Sequence, residues 1–309
     1  MKAKVEEIKL SDNSYKMMTA GRFVKIVKLR SEYYVSLPRP EELLAELRRR
    51  KAEGHLFTFV QEIGDEKPRY RFHQEFDQIA ALPVTTYENW FEKQLYFKPR
   101  NKLRKGQKSG IEVRALEFDD NLVRLIKEVY DENPVRQGTA NVHYRKDLDT
   151  VKLEHSAFLD RSLFIGVFFK GEIIGFSKAT ICGSNAIIMN IMAKVSHRDK
   201  APTNVLIAKW VEICAGKGLR NLVYGVWGGG GLREFKVANG FQCFQVPRYY
   251  VPLTVTGRLM LTLGLHRNLK DRLPRKFIDF AVKIRSEWTA FRFRKRESAN
   301  QRKPLEAVT

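Results

Sequence analysis

The stretch from Asn185 to Tyr250 constrains the fold most, because it alternates strand-like and helix-like patterns with turn residues at every switch. Ala186 to Val195 (AIIMNIMAKV) is β-branched and apolar, the pattern of a buried strand. A polar turn, Ser196 to Asn204, follows. Apolar residues at Val205, Leu206, Ala208, Trp210, Val211, Ile213 and Cys214 then predict a helix, which Gly216 and Gly218 stop because glycine accepts a left-handed cap. Leu222 to Trp227 predicts a second short strand. Gly228 to Gly231 open a short helix, and Asn239-Gly240-Phe241 closes it. The order is strand, turn, helix, strand, helix, an α/β (α+β) arrangement.

With 309 residues, 43% of them hydrophobic, the chain can bury a substantial core in one large domain or two small ones. A net charge of +21 implies anionic partners, such as nucleic acid, acidic headgroups or phosphate-bearing substrates. Cys182, Cys214 and Cys243 have no framework spacing and read as small core residues in a reducing compartment. The first residues lack the apolar centre of a signal peptide, and no apolar run reaches membrane-spanning length. The expected location is the cytoplasm.

Residues 1–21 are polar and are expected to be mobile. Arg22–Leu29 and His55–Val60 read as strands, with a helix from Pro38 to Lys51 between them. Tyr70–Phe76 reads as the next strand of a hairpin. An aromatic amphipathic helix is predicted over Thr85–Phe97. Six Lys or Arg then fall between Lys98 and Lys108, including Arg100, Arg104, Lys105 and Lys108. Phosphate recognition and a solvated helix face account for them equally well. A helix is predicted over Asp119–Tyr130, and the Pro134–Gly138 loop after it carries Arg136 and Gln137, either acceptor-lining or surface residues. His143–Leu159 reads as mostly helical, and Ser162–Phe169 and Gly171–Ile181 as two strands. Beyond Pro252 the sequence turns basic and amphipathic, a pattern for peripheral membrane contact through 257–296, for RNA, or for packing on the domain.

The Asn185–Tyr250 order resembles the second half of the GNAT acyltransferase fold, and Phe235-Lys-Val-Ala-Asn-Gly240-Phe241 looks like that family's closing helix. More narrowly, Pro202-Thr-Asn-Val-Leu206 with Phe235-Lys236 resembles the Fem-type branch, which includes peptidyltransferases that use aminoacyl-tRNA. The resemblance covers about Tyr87 to Tyr250. It implies a mixed sheet with two splayed parallel strands flanked by helices, with the acyl donor in the opening. Residues 1–84 would be a shortened partner lobe, 85–252 the acyltransferase domain and 253–309 a basic helical tail.

The resemblance also implies a site. Arg198-x-x-Ala201-x-Thr203 stands where GNAT enzymes have Gln/Arg-x-x-Gly-x-Gly/Ala, so Arg198, Ala201, Thr203 and Asn204 would bind the donor. The altered small-residue positions weaken the case for CoA. Lys236 aligns with the reacting end of the Fem-type Phe-Lys pair, with an electrostatic role. Tyr224 would meet the acceptor or pack, and Arg248 would bind phosphate or close the sheet edge. Glu154, Glu172 and His197 are open candidates for a base. The six histidines show no ligand spacing, so no metal is expected. No tightly bound cofactor is expected either, with acyl-CoA or aminoacyl-tRNA as co-substrate. The expected activity is N-acyl or aminoacyl transfer to an amine, such as an envelope or surface-glycan precursor. A catalytically silent module for RNA or anionic membrane is the other reading.

Overall fold

The computed structural model describes residues 4–9, 14–136 and 139–267. In chain order its elements are β1 (Lys4–Lys9), β2 (Ser14–Ala20), β3 (Ile26–Leu29), α1 (Pro40–Arg49), β4 (Leu56–Val60), β5 (His73–Pro83), α2 (Tyr87–Asn89), α3 (Phe97–Lys108), β6 (Ile111–Leu116) and α4 (Asp120–Asp131). Then follow β7 (Val135–Arg136), β8 (Thr139–Ala140), α5 (Leu148–His155), β9 (Ser162–Phe169), β10 (Glu172–Cys182), β11 (Asn185–Ala193), α6 (Pro202–Gly216), β12 (Asn221–Val226), α7 (Gly230–Ala238), β13 (Gln242–Pro252) and α8 (Val255–Thr262). Apart from the short β7–β8 pair, the strands form one eleven-stranded sheet in the order β1-β2-β3-β4-β13-β5-β12-β11-β10-β9-β6.

Read inward from either edge, the sheet repeats itself. The antiparallel run β1-β2-β3 leads to a parallel pair, β3 with β4, and β9-β10-β11 leads to the parallel pair β11 with β12. Each parallel pair is crossed by one helix with proline at its first turn, α1 at Pro40 and α6 at Pro202, where a missing N–H costs nothing. Each pair stays in register for only three residues. The antiparallel strands β5 and β13 fill the middle. This is the splayed mixed sheet with a shortened partner lobe that the sequence resemblance implied.

Three expectations need correction. Residues 4–9 and 14–20 form a hairpin rather than a mobile lead, because Ile8, Tyr15 and Met17 bury under α1 beside Leu43 and Leu47. The strand expected at Tyr70–Phe76 begins at His73 and is not β4's hairpin partner, since β13 inserts between them. Helix prediction over Thr85–Phe97 also breaks: after α2 the chain widens into a π-helical turn, Trp90–Gln94, and α3 starts afresh at Phe97. Residue Gln137 and residues 268–309 lie outside the described residues. The part of the tail that is described packs back on the domain, since a Cβ at Gly257 of α8 would lie 1.9 Å from the His55 carbonyl oxygen.

Arg248 of β13 is buried in this sheet. Its guanidinium donates to Glu32, Asp77 and the Thr58 hydroxyl, and to the Tyr33 hydroxyl at 3.1 Å. Removing one partner of a buried ion pair leaves the other charge uncompensated. Arg248→Met is expected to lower unfolding free energy by about 3–5 kcal/mol in denaturant titration. A loss under about 1 kcal/mol would mean that Glu32 and Asp77 are solvated.

A second buried polar chain crosses the sheet. Trp210 Nε1 donates to Ser177 Oγ, which donates to the Asn190 carbonyl. Asn190 Nδ2 donates to the Tyr130 hydroxyl, and that hydroxyl meets His155 Nε2 at 2.9 Å. Burial, with the Lys178 ammonium nearby, lowers the His155 pKa from 6.5 to about 4. The folded state therefore binds the neutral ring. Its contribution is complete above pH 6.5 and is lost as pH falls toward 4. Wild-type stability should drop by about 3 kcal/mol more across that window than that of His155→Gln. Parallel curves for the two proteins would contradict the assignment.

Candidate active site at the strand splay

The site forms where β11 and β12 part. They pair as Asn185–Asn221, Ala186–Leu222 and Ile187–Val223, and then separate. Both strands contribute to the break. In β11, Lys178 of β10 faces Asn190 while Ala179 faces Ile188, so Met189 is an extra residue, a bulge that re-aims the strand. In β12 the register with β5 slips between Val223 and Val226, around Gly225 at φ +60°. Beyond Ile187 the β12-side edge of β11 has no strand partner.

The opening continues into a cavity of about 680 Å³. Ile191, Met192, Ala193 and Lys194 line it from the β11 end, and Ala201, Pro202, Thr203 and Asn204 from the start of α6. Tyr224 comes from β12 and Gly229, Gly231, Leu232 and Phe235 from α7 and the turn before it. Lys102, Arg136 and Arg198 complete the wall, so four lining residues are Lys or Arg and none of those described is Asp, Glu or His. Lys194 is already neutralised by Glu128 and Glu172, and one Arg136 N–H is used on the Ala193 carbonyl at 2.9 Å. Burial lowers the Arg136 pKa, with Arg198 adding repulsion against the pull of Glu132.

The turn before α6 is built from local constraints. Glu132 accepts from the Val195 and Ser196 N–H groups. Burial raises its pKa, but those donors outweigh it, and the carboxyl stays below its ordinary range. Ala201 adopts φ +51°, ψ +46°, a left-handed conformation unusual for a residue with a Cβ, and its N–H bonds the Arg198 carbonyl. Pro202 supplies no N–H, and the Asn204 N–H bonds back to the Ala201 carbonyl. The Asn204 side chain is committed to Asn239 at the end of α7. The helix start thus offers few free backbone donors.

Of the expected site residues, Arg136, Arg198, Ala201, Thr203, Asn204 and Tyr224 meet at this cavity. Lys236 lies behind it, 2% exposed: its Nζ donates to the Val226 carbonyl at 2.6 Å and sits 4.8 Å from the Tyr224 ring centre. Burial lowers its pKa, and burial pushes the Tyr224 phenol up to about 12, so that group stays protonated. Arg100 holds the π-helical turn through the Glu92 and Leu95 carbonyls and does not line the cavity. Arg104, Lys105 and Lys108 are exposed on α3 outside the lining. Arg248 is not among the lining residues either; it is committed to Glu32 and Asp77.

Sequence reasoning missed Lys102. Pro99, Leu103 and Gly106 form the buried face of α3, and Lys102 is three residues from Pro99 and four from Gly106, at the margin of that face. A Cβ at Gly106 would lie 2.5 Å from the Lys200 carbonyl oxygen, so α3 sits directly against the turn. A glycine within a basic helix was the available signal.

The glycine run divides into two kinds. Gly228 and Gly230 have φ of +68° and +60°, which the turn requires. Gly229 and Gly231 do not, and a Cβ at either would meet nothing within 4 Å. The protein's own packing gives no reason for these two glycines, yet both border the cavity. Gly231→Ala, in the first turn of α7, should raise stability by about 0.5–1 kcal/mol, and Gly230→Ala should lower it by a similar amount. Equal effects of the two in thermal unfolding would contradict this division.

No family model matches the chain, and no curated protein matches its sequence. Solved structures do match. FemX superposes with a TM-score of 0.58 at 10% identity, over 85% of this chain and 90% of that one. The C-terminal domain of a protein assigned as a lysylphosphatidylglycerol synthetase, from Agrobacterium fabrum, gives 0.56 at 12% identity over 84% and 86%. L-PGS from Bacillus licheniformis gives 0.52 at 13% identity over 85% and 90%. At these identities the likeness establishes the fold: the chain has the GNAT/Fem-type architecture.

Proposed function

We propose that this protein is a transferase that moves an acyl or aminoacyl group from an anionic donor onto an amine. The observation that carries the reading is the strand splay opening into a cavity lined by Lys102, Arg136, Lys194 and Arg198 with no described carboxylate or histidine. Such a wall concentrates a polyanion. The names of the structural neighbours, FemX and lysylphosphatidylglycerol synthetase, are compatible with it.

The donor we favour is an aminoacyl ester of tRNA rather than acyl-CoA. A pyrophosphate is ordinarily held by backbone N–H groups at a helix start. Here Pro202 has none, and those of Val195, Ser196, Ala201 and Asn204 are already engaged. Phosphates must be met by side chains instead, and the exposed cations of α3 extend the positive surface beyond the cavity.

In the reaction, the acceptor amine attacks the donor carbonyl carbon. A C–N bond forms, the C–O bond to the ribose breaks, and the leaving oxygen takes a proton. The unpartnered edge of β11 polarises the carbonyl. Tyr224, held protonated by burial, faces the leaving oxygen. Lys236 acts through Tyr224 as a positioning residue, since its ammonium reaches the ring and the Val226 carbonyl. An amine acceptor can lose its proton to water, so no dedicated base is required. Resemblance suggests an envelope or surface-glycan precursor as acceptor.

The test is transfer from radiolabelled aminoacyl-tRNA and acetyl-CoA to an amine acceptor. Arg198→Glu is expected to raise the donor KM with little change in kcat, and Tyr224→Phe to lower kcat by about a hundredfold with KM unchanged. Absence of transfer from either donor, together with salt-sensitive RNA or anionic-lipid binding, would overturn the proposal in favour of a silent binding module.

A further inference from the structure

At the far end of β5 from the splay, three side chains converge that the transfer reaction does not use. His73 and Glu75 lie two apart on β5, so they project from the same face of the strand. His266, in the turn after α8, comes down on them. His266 Nε2 is 3.0 Å from a Glu75 oxygen, and His73 Nε2 is 3.9 Å from the same oxygen. One donor atom from each residue can be chosen so that all three lie within 4.8 Å of one another. Ligands about 2.0–2.1 Å from a tetrahedral ion stand about 3.3 Å apart, between the two observed separations. None of the three residues lines the splay cavity.

We propose that His73, Glu75 and His266 form a binding site for a divalent transition-metal ion of the zinc type. Two imidazoles and a carboxylate match the ligand preference of such ions and leave a fourth position for water. The ligands differ in mobility in a way that suits capture. The His266 side chain is 1% exposed, while that of His73 is 40% exposed and able to adjust. His266 is hydrogen-bonded only through Nε2, because its Nδ1 is buried without a partner. Exchanging that bond for a metal bond therefore costs His266 a single hydrogen bond.

The site already holds one cation. Arg267 Nε donates to Glu75 at 2.7 Å, and its side chain is 55% exposed, free to swing into water when a metal takes its place. Arg267 and the ion thus compete for the same carboxylate. A bound ion would fasten the chain just after α8 to β5. Sequence spacing gives no sign of the site because His266 and Glu75 are 191 residues apart.

Isothermal titration of the full chain with ZnCl₂, and the ligand-field absorption of bound Co²⁺, test the proposal. One saturable ion per chain is expected. His73→Gln, at a partly exposed position, should weaken binding by about tenfold or more, the scale on which even outer partners of a metal ligand act. Arg267→Gln should tighten it by removing the competing cation. Both variants should unfold like the wild type in the absence of metal. No saturable uptake, or uptake unchanged in His73→Gln, would overturn the proposal.

Discussion

The parting of β11 from β12 is the constraint on which the rest of the structure depends. Adjacent strands bond along their whole length unless something prevents it, and here two local devices do so. The Met189 bulge turns one strand, and the left-handed Gly225 turns the other after three paired residues. Exposed strand edges are a liability. This one is tolerated because α6 and α7 flank it, and because Arg136 occupies the Ala193 carbonyl near the break. The turn into α6 is fixed from outside by Glu132 and by the close seat of α3 at Gly106. The cavity is therefore a consequence of how the backbone is interrupted.

The other half of the sheet contains the same interruption put to a different use. β3 and β4 also part after three pairs. The space bordered there by Glu32, Tyr33 and Phe59 to Ile63 holds only about 100 Å³. Arg248, Glu32, Asp77 and Tyr33 knit the neighbouring strands together with buried ion pairs and hydrogen bonds. One splay has been kept open, with Lys102, Arg136 and Arg198 in its wall beside the ion-paired Lys194, and its counterpart has been closed with ion-paired charge. That contrast is the physical ground for placing the proposed function in the C-terminal half.

The central β11–α6–β12–α7 unit was legible in the sequence because each element is declared by its own residues: β-branched runs, a 3.6-residue apolar period, and glycines at the switches. The turn before α6 and Tyr224 came with it. What was not legible is set by distant pairing. β13 reaches its place between β4 and β5 only in the folded sheet, so β4 and β5 looked like a hairpin. Arg248, beside two tyrosines, reads as a phosphate ligand or a residue closing the sheet edge, because its partners Glu32 and Asp77 are remote in sequence and β13 lies inside the sheet. On α3 the charge was evident, but which lysine faces the cavity depends on which side of the helix meets the turn. That follows from the burial of Gly106 and could have been inferred from it. Lys236, expected at the reacting end of the site, lies behind Tyr224 and holds the Val226 carbonyl.

The most direct test of the account is amide hydrogen exchange on the full chain with and without aminoacyl-tRNA, because it reports where the donor sits independently of turnover. The account predicts protection concentrated at residues 191–204 and 228–236, with a weaker effect on α3, all of it reversed by raised salt. Protection confined to other parts of the chain, or none at donor concentrations that saturate binding, would contradict the assignment of the β11–β12 opening as the donor site.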